Sequence, residues 1–124
     1  MGSDKLRIFR RGEHGYEEAR RGSVWCASVW DRYPAAIVQV QNEKEALEAV
    51  RLARKENLKI TVRSGGHSWP GNHLRDGVML IDVNGLREAK IDKATMTATA
   101  QPGLKGSELN NILSTYELFF PIGH

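Results

Sequence analysis

Ile60-Thr61-Val62-Arg63-Ser64-Gly65-Gly66-His67-Ser68-Trp69 opens as a strand and closes as a glycine turn. From Leu58 to Arg63 apolar and polar residues alternate, as in a strand with one buried face, and the adjacent glycines then admit backbone angles closed to other residues. A loop of this kind can aim successive N–H groups at one point. That is a nest for phosphate oxygens, to which the Ser64 and Ser68 hydroxyls add donors and Arg63 adds charge. The alternative is an ordinary glycine turn in which His67 merely packs, and local chemistry leaves the two evenly matched. The glycines at 65, 66 and 71 do not form Gly-x-Gly-x-x-Gly, and Gly103-Leu104-Lys105-Gly106-Ser107 lacks Walker spacing. Ser64 and Ser68 do not sit in the Gly-x-Ser-x-Gly of a serine hydrolase.

On the N-terminal side of this block, Ala35-Ala36-Ile37-Val38-Gln39-Val40 is suited to a strand. Asn42 then offers a side-chain cap with Glu45 three positions on, which predicts a helix over 43–56. Its mostly apolar stripe reads as Ala46, Leu47, Val50, Ala53 and Arg54, with Glu43, Lys44, Glu48 and Lys55 toward water. Strand, helix, strand in that order predicts a parallel pair joined by a right-handed crossover. On the C-terminal side, residues 78–83 form a continuous apolar run that predicts a buried strand, ended by Asn84-Gly85. Residues 88–100 alternate twice about a turn at Asp92-Lys93, predicting a hairpin, and a second helix enters at 103–107, carrying Leu109, Ile112, Leu113 and Tyr116. The last residues, Leu118-Phe119-Phe120-Pro121-Ile122-Gly123-His124, are strongly apolar. They read either as a terminal strand tucked into the core or as a surface awaiting more structure. Residues 1–30 are polar and glycine-punctuated and read as a leader or arm, so the folded domain is placed at 31–124.

The whole chain has 124 residues, room for one domain of ordinary size, with 40% apolar and 27% charged residues. This excludes a disordered or collagenous chain, and no stretch nears the roughly 20 apolar residues of a membrane span. The net charge of +3 suits anionic small ligands. Basic residues gather at the front, but Glu13, Glu17 and Glu18 interrupt them and no zinc-finger or RNA-recognition pattern follows, so nucleic acid is not an expected partner. Cys26 is the only cysteine, and His14, His67, His73 and His124 are scattered, so neither a disulfide nor a metal site is expected. With no apolar signal stretch at the start, the expected location is the cytoplasm.

Five blocks in order resemble one family: residues 34–38 with the helix after them, 60–69, Ile81-Asp82-Val83-Asn84-Gly85-Leu86, residues 100–109, and Phe120-Pro121-Ile122-Gly123-His124. Together they are similar to the flavin domain of berberine bridge enzyme-like oxidases, in the vanillyl-alcohol oxidase or PCMH-type FAD-binding superfamily. The resemblance implies an α+β fold, the N-terminal portion of a PCMH-type domain with a small mixed β-sheet and flanking helices. It implies that Arg63, Ser64, Gly65, Gly66 and Ser68 form the FAD pyrophosphate loop and that His67 is the covalent attachment point. Gln101, Pro102 and Gly103 would lie along the cofactor and Gly123 beside the isoalloxazine ring, while Val62 and Trp69 would pack. A tethered flavin becomes a stronger oxidant and cannot diffuse away. The implied activity is an FAD-dependent oxidation of a small-molecule substrate with oxygen as acceptor. His67 is a tether in this reading, and no residue here is assigned as the catalytic base. The substrate domain and the rest of the flavin domain are not in this sequence, so activity is expected only with a missing segment or a second chain. From a different class, a non-catalytic nucleotide- or phosphate-binding module, or an interaction subunit, would use the same loop without turnover.

Overall fold

The computed structural model describes residues 6–24, 31–64 and 71–121. Its centre is β4 (Met79–Asp82), whose four residues are all buried, as an apolar run covered on both faces requires. β2 (Ala36–Gln39) and β3 (Ile60–Arg63) pair with it in parallel, one on each side, with Ile37 and Thr61 both in register with Leu80. The two strands expected to pair directly are therefore separated by β4: both are parallel, but neither touches the other. The physical reason is hydrophobic. A strand buried on both faces belongs at the centre, and β3, with Val62 58% exposed, serves as an edge. Val62 accordingly does not pack as expected.

β1 (Arg7–Arg10) adds antiparallel to the far side of β2, giving the order β1-β2-β4-β3. The polar stretch before Asp31, expected as an arm, thus supplies a sheet edge. It also supplies α1 (Tyr16–Gly22), with Tyr16, Ala19 and Arg20 buried. Polar side chains of this stretch find distant partners. The Tyr16 hydroxyl donates to the Pro34 carbonyl at 2.6 Å, Arg10 makes a two-pronged bond to Glu56, and the Arg20 guanidinium stacks on the Tyr33 ring.

α2 (Glu43–Lys55) starts where expected: Asn42 Oδ1 accepts from the Glu45 N–H, and Glu45 accepts in turn from the Gln41 N–H. Its buried face is Ala49 and Ala53, flanked by Ala46 and Leu52, whereas Leu47 and Val50 are exposed. Alanine, with no side chain beyond Cβ, lets the helix axis approach the sheet. The side chains of Ala36, Val38, Met79 and Ile81 meet it there, while Ile37 and Leu80 point to the opposite face, against Tyr16, Ala19 and Leu74. β5 (Ala89–Asp92) and β6 (Thr97–Ala100) form the expected hairpin, though Asp92 pairs with Thr97 and the turn falls at 93–96. α3 (Gly106–Ser114) follows and ends before Tyr116. Phe119 and Phe120 are exposed rather than tucked in, and Asn110 holds the Phe120 backbone through both its amide atoms.

Candidate functional site

Because β2, β3 and β4 are parallel and in register, their C-terminal ends come out side by side, the place where open α/β sheets bind ligands. A crevice of about 790 Å³ lies against these ends, lined by Arg7, Gln39, Gln41, Arg63, Asp82 and Asn84 among others. The strand exits are held close. Val83 N–H donates to Arg63 O at 2.8 Å and Val40 N–H to Asp82 O at 3.1 Å. Gly85 sits so near the β2 exit that a Cβ there would lie 2.7 Å from the Val40 carbonyl oxygen.

Arg63, the last residue of β3, lines this crevice, and Ser64 follows it. The Arg63 side chain is 11% exposed and already engaged: Nη1 donates to Asp82 Oδ1 at 3.1 Å, Nε to the Ser23 carbonyl at 2.9 Å, and Nη2 to the Gly22 carbonyl at 3.0 Å. The last two are carbonyls at the C-terminal end of α1, which carry partial negative charge. Asp82 Oδ1 also accepts from the Asn84 N–H at 3.0 Å. With its amide oriented to match its neighbours, Asn84 donates to the Ser64 carbonyl at 3.1 Å and accepts from Arg87 Nη2 at 3.2 Å. Thus Asp82 and Asn84, neither singled out from sequence, fix the two residues that open the glycine loop. One sequence signal could have found Asp82. A carboxylate closing a wholly apolar strand needs a partner.

His73 lies close to the same cluster. It is 5% exposed, and its Nε2 has no hydrogen-bond partner. Burial, and then the neighbouring Arg63 charge, hold its pKa below the usual histidine value, against the opposing pull of Asp82 and a bond to the Ser23 backbone. In the unfolded chain the imidazole titrates near 6.5, so above that pH neither state is protonated there. Below it the unfolded state takes up a proton that the native state resists, and stability is lost as pH falls from about 6.5 through the lower native value. Denaturant unfolding of wild type and His73→Leu across this window should therefore diverge, the variant curve falling less steeply toward acid. Parallel curves would contradict a buried neutral imidazole.

Of the other expected site residues, Gly103 is buried against the β4 exit, its N–H donating to the Leu86 carbonyl at 2.8 Å. Gln101 is tied to the start of β5: its N–H donates to Glu88 O at 2.8 Å and its Oε1 accepts from Glu88 N–H at 3.0 Å. Pro102 is exposed. Gly103 touches the crevice wall through Asn84, while Gln101 and Pro102 do not line the crevice. Gly65, Gly66, His67, Ser68 and Gly123 lie outside the described residues, as does Cys26. Among the described residues, no group of three or more histidine, cysteine or carboxylate side chains is arranged to hold a metal. No helix among them is long and apolar enough to cross a membrane.

The family model described as an FAD binding domain matches residues 34–124. The chain belongs to this family. The FAD-linked oxidoreductase ptmO of Penicillium ochrochloron is 35% identical over 114 residues, covering 92% of this chain and 25% of its own. The solved structure of Physcomitrella patens BBE-like 1 superimposes with a TM-score of 0.77 at 26% identity, over 93% of this chain and 25% of that one. Phl p 4, a grass pollen allergen with glucose dehydrogenase activity, shares the fold with a TM-score of 0.79 at 23% identity, over 94% of this chain and 26% of its own. The chain spans about a quarter of the relatives it matches. It is therefore an FAD-binding domain of the type found in FAD-linked oxidoreductases, with the small mixed α/β architecture of the PCMH-type fold and the berberine bridge enzyme-like oxidases as its kin.

Proposed function

We propose that this chain is the FAD-binding part of a flavin-dependent oxidoreductase that takes hydride from a small-molecule substrate and passes the electrons to oxygen, with the flavin tethered through His67. The observation that carries the reading is positional. The Arg63-Ser64 entry to the glycine loop stands at the C-terminal ends of three parallel strands, beside a cofactor-sized crevice, within residues matched to the FAD binding domain. The lining offers a pyrophosphate the charge of Arg7 and the amide donors of Gln39 and Gln41, while Arg87 is paired with Glu108 and Glu18 adds a carboxylate. Arg7 is exposed and forms no ion pair among the described residues, so its guanidinium is available to an anion.

When bound, FAD supplies a two-electron acceptor that no side chain provides. The chain's own residues bind and orient it: the backbone N–H groups of 64–66 and the Ser64 and Ser68 hydroxyls hold phosphate oxygens, and Gly103 keeps the neighbouring wall close. The base that takes the substrate's proton, and the walls that define the substrate, belong to the remainder of the flavin and substrate domains, supplied by further sequence or a second chain. The exposed Met96, Phe119 and Phe120 on the hairpin side accord with such a neighbour.

The test is spectroscopic. The chain purified with its remaining domains should be yellow, and flavin fluorescence should stay with the protein after acid denaturation. A colourless protein with His67 intact would end the flavoenzyme reading. Exchangeable nucleotide with no flavin would favour the non-catalytic nucleotide-binding module.

A further inference from the structure

Resting on the FAD reading, we infer that Asp82 is a positioning residue for the cofactor loop, acting through Arg63, whose guanidinium braces the fold and is not the counter-ion of the pyrophosphate. Arg63 carries five N–H donors in a rigid fork. Three partners on two elements claim them: the Asp82 carboxylate at the end of β4, and the Gly22 and Ser23 carbonyls at the end of α1, all reached from the end of β3. Both charged side chains are about nine-tenths buried, 11% and 9% exposed. A guanidinium neutralised by a carboxylate at 3.1 Å presents little net field to a phosphate beyond it. The geometric consequence is larger. Asp82 sets Arg63, and through the Asn84 N–H it also sets Asn84, whose amide meets the Ser64 carbonyl. The two residues that lead into the glycine loop are thereby fixed from one carboxylate, one through its side chain and the other through its carbonyl. A phosphate nest depends on backbone N–H direction, so a small rotation at its entry misaims several donors together.

The competing role, Arg63 as a direct phosphate ligand, predicts the opposite sign for one substitution. If Arg63 served the phosphate, Asp82→Asn would remove a competing anion, release the guanidinium and tighten FAD binding. If Arg63 is the brace, Asp82→Asn loosens it and weakens binding, by about tenfold, the scale of one lost charge-assisted bond. FAD affinity is read by titration of flavin-free full-length protein in a His67→Ala background, where binding is reversible, at several salt concentrations, with circular dichroism as a check on folding. Arg63→Met should weaken binding without reducing its dependence on salt, because no ionic contact to the ligand is lost. Arg63→Lys should be nearly as weak as Arg63→Met, since an ammonium keeps the charge but cannot span the carboxylate and both carbonyls.

Tighter binding by Asp82→Asn, a smaller salt dependence in Arg63→Met, or wild-type affinity in Arg63→Lys would each overturn the inference while leaving the flavin reading intact. Should Asp82→Asn fail to fold, the two Arg63 variants decide the matter. A wild-type protein that takes up no flavin overturns the flavin reading and this inference with it.

Discussion

Replacing His67 by alanine is expected to abolish the flavin that stays with the denatured protein, from essentially all of it in the wild type to none. The reason lies in what denaturation removes. A pyrophosphate held by backbone N–H groups is released once the loop loses its shape, because the nest exists only as a set of aligned dipoles. A bond from an imidazole nitrogen to the methyl carbon on the flavin's benzenoid ring does not depend on fold and survives acid. Loss of the tether need not empty the site. The phosphate contacts proposed for Ser64, Ser68 and the loop backbone do not involve the imidazole, so His67→Ala should still bind FAD reversibly before denaturation. The measurement is flavin fluorescence of the protein band after acid and detergent, set against the flavin content of the native sample. Flavin retained by the alanine variant would place the linkage elsewhere. Flavin lost completely from the wild type would leave the cofactor bound but untethered.

Gly103→Ala should be the most damaging single methyl in the described part of the site. A Cβ at this position would lie 2.4 Å from the Asn84 carbonyl oxygen and 2.6 Å from that of Val83, both backbone atoms that no rotamer change can move aside. Overpacking of this kind costs about 1–3 kcal/mol. Here the strain falls on the β4 exit, where Asn84 meets the Ser64 carbonyl, so cofactor affinity should fall along with thermal stability. Thermal unfolding of the variant, and FAD titration of it in a His67→Ala background, check both effects. A stable variant with unchanged affinity would show that the wall yields without moving Asn84. The resemblance gives Gly103 a place along the cofactor. The structure adds that glycine is needed for the approach of two backbones, whatever touches the ligand.

Much of the fold was legible because the physical signals are local. Asn42 and Glu45 cap α2 as their spacing implies, and the apolar run of β4 is buried throughout. The α2 stripe was misread by one step: Leu47 and Val50 match the helical period as well as Ala46 and Ala49 do, and only the closeness of the sheet selects the alanines. The N-terminal stretch was misread for a related reason. Its many charges suggest solvent, yet Arg10 finds Glu56, and Arg20 finds Glu17 and the Tyr33 ring, so a polar segment closes one side of the sheet.

The sequence by itself determined the local elements, the glycine loop that follows a strand, and the family, since each is written in neighbouring residues. Tertiary structure decided which strand lies at the centre, that residues 7–10 join the sheet with α1 beside them, and which partners hold Arg63. An arginine leading into two glycines reads as part of a phosphate loop, and the structure adds that a carboxylate 19 residues away holds its side chain. That choice is electrostatic. A buried guanidinium takes the nearest satisfied set of acceptors, and which acceptors are nearest is fixed by how β3, β4 and α1 pack.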